Sequence, residues 1–209
     1  MKLLEVRDLT FGYEDAPVLD KFNMELLPQE ILLLDGEDGA GKTTLLKCIA
    51  NIINNGVGIF INGTNVEKDK TNVNQISFVM GEDTLYDYLT VDENIRFFKS
   101  LFDESDDFIA KARNTCSEFG IEKYENYLVQ SLSQKIRHKL YLAIMLSKQH
   151  NILMLDEPFV TLDKRTQRRL MTKIKKTAKD SHSAVILVTN MNEFKSFVTR
   201  TVQVNKIVN

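Results

Sequence analysis

The chain has 209 residues, with 27 Lys or Arg against 29 Asp or Glu for a formal net charge of −2, and with 43% hydrophobic residues, nine glycines and three prolines. That balance describes an ordinary globular protein and excludes disordered, collagen-like and strongly basic nucleic-acid-binding classes. At roughly 150 residues per domain, the length favours one domain carrying a subdomain or insertion over two independent domains.

The longest wholly apolar run, residues 140–146, falls far short of the ~18 residues needed to span a bilayer, so the chain itself is not expected to cross a membrane. Glu5, Arg7 and Asp8 come too early for the apolar region of a secretory signal, and the reading is a cytoplasmic protein. Cys48 and Cys116 lack CxxC spacing and fall in segments with a helical pattern. Both are expected to be reduced, buried thiols.

In chain order, residues 3–9, 22–27, 31–34 and 57–62 have the pattern of strands, and a helix is expected to begin after Gly41. A second block, about residues 83–146, reads as mostly helical. Within it Thr90-Val91-Asp92-Glu93 is a capping box, followed by Ile95, Phe98 and Leu101 at helical spacing, and Gly120 ends the next helix. A third block alternates apolar strands (152–155, 184–188, 202–208) with a charged helix over about 164–179. Such alternation predicts a parallel sheet with helical crossovers, hence an α/β fold with a helical insertion.

Residues Gly36-Glu37-Asp38-Gly39-Ala40-Gly41-Lys42-Thr43-Thr44 match GxxxxGK[ST] and follow the apolar run 31–34. A strand feeding a glycine-rich turn lets backbone amides wrap a phosphate with no Cβ in the way, and the helix that follows points its positive end at the same place. Lys42 is expected to reach the β and γ phosphates, and Thr43 to offer its hydroxyl to Mg²⁺. The complement is Asn151-Ile152-Leu153-Met154-Leu155-Asp156-Glu157-Pro158, a buried strand ending in two carboxylates. Asp156 is expected to hold Mg²⁺ through water, and Glu157 to polarise the attacking water as general base.

With these motifs in this order, the chain resembles the nucleotide-binding subunit of ATP-binding cassette (ABC) proteins over nearly its whole length. The resemblance implies one P-loop NTPase cassette over residues 1–209, with a mainly parallel core sheet, an N-terminal antiparallel β-subdomain and a helical subdomain at about 83–146. It implies that Tyr13, in Phe11-Gly12-Tyr13, stacks on adenine, and makes Val18, in Pro17-Val18-Leu19, a further nucleotide contact. Asn62-Gly63 resembles the family's hairpin turn. Asp163, in Val160-Thr161-Leu162-Asp163, falls in the family's D-loop at the dimer contact.

Three motifs depart from the family pattern. Gly81 stands where a glutamine meets Mg²⁺ and water, Gln134 and Lys135 stand in the slots of the signature glycines, and Asn190 replaces the switch histidine. An amide at 190 can hydrogen-bond a γ-phosphate but carries no proton. Lys135 is either a solvated lysine at a weakened site or a replacement positive charge. His138, His150 and His182 are expected at the surface.

The expectation is therefore an ATPase that binds ATP and Mg²⁺ well and turns over slowly when alone. Its implied partners are a separate membrane permease and a second cassette, the same or different, with the protein peripheral on the inner face of the membrane. Nucleic acid is not an expected partner. The rival reading is a soluble ATP-gated interaction clamp. A GTPase is disfavoured because no NKxD-type motif occurs, so ATP should be preferred over GTP. Leu85, Tyr86, Tyr88, Phe97 and Phe98 are read either as a permease socket or as core. The basic helix at 164–179, with Leu170, Ile174 and Ala178 as an apolar stripe, is read as a solvated crossover, with anionic lipid or RNA contact as the alternative.

Overall fold

The first two strands are long because each sorts its side chains between an inner and an outer face. In the computed structural model, which describes residues 2–14, 16–54 and 56–207, β1 (Leu4–Tyr13) buries Leu4, Val6 and Leu9 and β2 (Ala16–Leu26) buries Leu19, Met24 and Leu26. The inward positions change parity between Val6 and Leu9, where the β1–β2 register shifts at a bulge. Asp8 takes φ 45° there, and its N–H donates to Asn23 Oδ1 at 3.0 Å. The bulge breaks strict alternation, which is why the sequence pattern stops at residue 9 while the strand continues to Tyr13.

β4 (Ile59–Ile61) and β5 (Thr64–Asn65) complete an antiparallel sheet of order β2-β1-β4-β5. Asn62 and Gly63, both at positive φ (50° and 81°), make the two-residue turn between them. A second sheet has the order β6-β7-β8-β3-β9, from β6 (Ile76–Val79), β7 (Ile152–Asp156), β8 (Ala184–Val188), β3 (Ile31–Asp35) and β9 (Arg200–Gln203). The β7–β8, β8–β3 and β3–β9 pairs are parallel. Every residue of β7 and β8 is buried, the reason these strands read as unbroken apolar runs.

Helix α1 (Lys42–Ile49) follows β3 directly and sinks Leu45, Leu46 and Ile49 completely into the core. β6 was not legible from alternation, since it is only four residues, Ile-Ser-Phe-Val, with Ser77 buried. β9 lies at 200–203 rather than 202–208, a short edge strand that begins with polar residues; position 208 lies outside the described residues.

The chain divides into two compact units. One takes in Met1–Phe78, His150–Glu157 and Lys175–Asn209 and carries the sheets, α1 and the short α6 (Asn192–Lys195). The other takes in Val79–Gln149 and Pro158–Ile174 and is helical, with α2 (Val91–Leu101), α3 (Asp107–Glu118), α4 (Gln134–Ser147) and the first part of α5 (Lys164–Lys179).

In the helical unit the capping box forms as the spacing requires. Glu93 N–H donates to Thr90 Oγ1 (3.2 Å) and Thr90 N–H to Glu93 Oε2 (2.8 Å). Gly120 (φ 71°) follows the end of α3. The loop after Gly81 is tied on two sides. Arg137 of α4 makes a bidentate pair with Asp83 (2.8 and 3.1 Å) and reaches Asp87 (2.5 Å), while buried Asn94 of α2 exchanges hydrogen bonds with the Tyr86 main chain at 2.8 and 3.0 Å. Among the described residues, no helix is long and apolar enough to cross a membrane.

Candidate nucleotide site

The turn between β3 and α1 needs glycine at specific places. Gly36 has φ 152°, and a Cβ there would lie 2.3 Å from the Val204 carbonyl oxygen. Gly41 (φ 97°) caps α1, and its Cβ would lie 2.8 Å from Val18 Cγ1. The backbone can thus curl tightly at the mouth of a helix whose first turn carries no acidic residue. Its free N–H groups and positive end are left for an anion. Lys42, buried to 9% exposure, folds back so that Nζ donates to Gly36 O (2.5 Å) and Glu37 O (2.9 Å).

Opposite the loop stand the C-terminal ends of β7 and β8. Asp156 is 5% exposed, and its Oδ2 accepts from Thr43 Oγ1 at 2.7 Å. Burial raises its pKa, against the pull of Thr43, Lys47 and Lys42. Glu157 takes φ 47°, its N–H donating to Val188 O at 3.0 Å. One carboxylate oxygen, Oε1, accepts the Asn190 main-chain N–H at 2.9 Å, while the other, Oε2, is buried with no hydrogen-bond partner. Burial, opposed chiefly by the Asn190 amide, raises the Glu157 pKa. The Asn190 side-chain Nδ2 donates to Asp38 Oδ1 at 3.1 Å, joining the end of β8 to the loop.

These groups line one cavity of about 350 Å³, formed by Val18, residues 38–44, Asp156, Glu157, Val188 and Asn190. Val188 is the lining residue that motif reasoning missed, because nothing in an apolar strand marks its last position. Two sequence candidates are not in the lining. Gly36 lies beneath it, its carbonyl holding Lys42. Tyr13 is 48% exposed and packs edge-on against Phe11, ring centroids 5.2 Å apart. The Thr43 hydroxyl and Asp156 carboxylate are hard oxygen donors and suit Mg²⁺. Among the described residues no cluster of three or more His, Cys, Asp or Glu makes a metal cage. A cation here would complete its shell from water and phosphate, as magnesium does at nucleotide sites.

The departing positions sit in the helical unit, except Asn190. Gly81 is exposed, and a Cβ on it would meet nothing within 4 Å. Gln134 opens α4, and Lys135 is 3.3 Å from Asp163 Oδ2, which Lys139 also pairs at 2.8 Å. Asp163 in turn accepts Thr166 N–H (2.9 Å) at the start of α5. Although burial alone would raise it, these partners hold its carboxyl below the usual range. The Lys135 charge is therefore shared with an acid of its own chain.

His182 is exposed, but His138 and His150 are half-buried, which corrects the surface reading for both. His138 Nε2 lies 3.0 Å from Pro158 O, on the less apolar side of a helix whose neighbouring residues are core. Leu85 and Phe98 are core, whereas Tyr88 is 83% exposed and Tyr86, 47% exposed, packs on Phe97 at 4.2 Å. Cys48 and Cys116 are buried free thiols pushed up to about 12 by burial. Leu170, Ile174 and Ala178 of α5 are buried, with Arg165, Arg168, Lys175, Lys176 and Lys179 exposed.

Residues 19–160 match the family profile described as ABC transporter. The chain is 29% identical over 193 residues to the spermidine/putrescine import ATP-binding protein PotA of Clostridioides difficile, covering 91% of this chain and 56% of that protein. It is 32% identical over 175 residues to the cytochrome c biogenesis ATP-binding export protein CcmA of Legionella pneumophila, covering 82% of this chain and 85% of that one. The chain thus spans little more than half the length of the PotA relative. In fold it is similar to an ATP-binding subunit of an ABC transporter (TM-score 0.86, 22% identity, 99% of this chain and 88% of that one). It is similar too to a dimeric ATP-binding cassette holding ADP and Pi (TM-score 0.83, 19% identity, 98% and 97%).

Proposed function

Because the chain belongs to the ABC transporter family, we propose that it is the ATP-binding subunit of a multi-subunit membrane transporter, coupling Mg-ATP binding and slow hydrolysis to a separate permease. The observation that carries this reading is the 2.7 Å bond between Thr43 Oγ1 and Asp156 Oδ2 inside the glycine-cradled cavity. It supports a metal–phosphate site with the loop on one side and the strand ends on the other. In this reading residues 1–209 form one cassette with a helical subdomain at about 83–146, peripheral on the inner membrane face and paired with a second cassette. Nucleic acid has no part in it.

The roles follow from placement. The loop amides and Lys42 hold the phosphates, Lys42 exchanging its carbonyl partners for phosphate oxygens. Thr43 and Asp156 would hold magnesium, whose charge would offset that of the phosphates. Glu157, its pKa raised by burial and one oxygen without a partner, takes the proton of the attacking water. Asn190 offers an amide in place of an imidazole, and Gly81, in the slot where the family pattern has a glutamine, has no side chain. Each missing transition-state contact is worth about 10²- to 10³-fold in rate, so turnover is slow.

The test is affinity purification of the tagged chain from detergent-solubilised membranes, with nucleotide titration of the purified chain. A stoichiometric polytopic partner and preference for Mg-ATP over Mg-GTP are expected. Recovery only from the soluble fraction would favour an ATP-gated clamp.

A further inference from the structure

The phosphate loop carries a feature opposed to its own task. Asp38 lines the cavity and is exposed, and its side chain has one hydrogen bond bridging it to another element, the 3.1 Å bond from Asn190 Nδ2. Lys42, which lines the same cavity, donates instead to Gly36 O and Glu37 O. A carboxylate held only by a neutral amide repels any phosphate placed beside it.

Which phosphate that is follows from the geometry. Loop amides at the head of α1 hold the inner phosphates, and the terminal phosphate must face the base, Glu157. Glu157 is hydrogen-bonded to the main chain of Asn190, the residue whose side chain reaches Asp38. On the Mg-ATP reading, a terminal phosphate facing Glu157 would lie beside the Asp38–Asn190 pair, which lines the same cavity.

We propose that Asp38 and Asn190 form a latch across the nucleotide cavity that sets its preference between triphosphate and diphosphate: the latch is closed with a diphosphate or no nucleotide, and a terminal phosphate has to open it against the Asp38 charge. The proposal rests on the Mg-ATP reading of this cavity. Opening needs only rotation of the Asn190 side chain, because its main-chain bond to Glu157 is independent of it. The freed amide then donates to the phosphate, and the Asp38 charge remains as a penalty that only the triphosphate meets.

The experiment measures the Kd of a non-hydrolysable ATP analogue and of ADP, both with Mg²⁺, for the full chain and for Asp38→Asn, Asp38→Ser and Asn190→Ala, with a thermal melt on each. Both Asp38 variants should tighten the analogue at least about 5-fold, which is about 1 kcal/mol by the tenfold-per-1.4 relation, while changing ADP less than about 2-fold. Asn190→Ala keeps the charge and loses the donor, so it should not tighten the analogue. Equal tightening of both nucleotides, or none in either folded Asp38 variant, overturns the latch while leaving the nucleotide site standing. If neither nucleotide binds the unaltered chain, the Mg-ATP reading itself fails and the latch with it.

Discussion

Asn190 donates its main-chain N–H to Glu157 Oε1 at 2.9 Å, and Glu157 N–H donates back to Val188 O, two residues earlier, at 3.0 Å. These two bonds tie the ends of β7 and β8 together where Glu157 takes φ 47°, a left-handed conformation uncommon for a residue other than glycine. The carboxylate is consequently fixed by one oxygen while the other stays buried and unpartnered.

Glu157→Gln should preserve this geometry, because the amide oxygen can still accept the Asn190 N–H, yet removes the proton acceptor. Phosphate release should fall about 10²-fold or more, with the Kd for Mg-ATP within about 3-fold of the unaltered chain. Steady-state phosphate release beside a fluorescent-nucleotide titration reads both. Unchanged turnover would remove Glu157 from the proton-transfer role.

The loop glycines should not be equivalent. Gly36→Ala places Cβ 2.3 Å from a backbone oxygen, whereas Gly39→Ala meets nothing within 4 Å and bears only the strain of φ 79°. Urea denaturation should show a loss of about 2 kcal/mol or more for Gly36→Ala and about 1 kcal/mol for Gly39→Ala. Equal losses would contradict the close approach of Val204 to Gly36.

Gly81→Gln tests whether the missing side chain limits turnover. Gly81 is exposed, with open space around its Cβ direction and no positive φ, so the substitution should be tolerated with Tm within about 2 °C. Turnover of the purified chain should rise about 10-fold or more if water orientation is limiting. No rise in a stably folded variant would place the limitation at Gln134, Lys135 or Asn190.

Much of this site could be read without coordinates, because the chemistry and the local structure use the same residues. GxxxxGK[ST] specifies a strand, a positive-φ turn and a helix start, and all three are present around residues 31–49. What escaped was tertiary. The bulge at Asp8 hid the last four of β1's ten residues, β6 was too short to show a period, and the contact of Asp38 with Asn190 spans 152 residues of sequence. No spacing rule reveals such a pair. Likewise Asp163, expected from the family pattern at a dimer contact, has Lys135 and Lys139 around it, which only the packing of α4 brings there.

Stability should respond to acid through Glu30, at the end of β3 remote from the cavity. Glu30 is 9% exposed and accepts from Arg200 Nε (2.6 Å), Arg200 Nη2 (3.1 Å) and the Leu27 N–H (2.9 Å). Burial alone would raise its pKa, but Arg200 and the Leu27 amide outweigh it and hold the carboxyl below the ordinary value of 4.5. A carboxyl depressed by folding stabilises the folded chain fully above that ordinary value, and its contribution disappears as pH falls through the folded pKa. Glu30→Gln should therefore lower stability by about 1 to 2 kcal/mol at pH 7, less than a fully buried pair because Arg200 is 38% exposed. The gap between variant and unaltered chain should narrow as pH drops below about 4.5. Urea denaturation at several pH values between 7 and 3 measures it, and a gap that stayed constant across that range would show that the Glu30 charge contributes nothing.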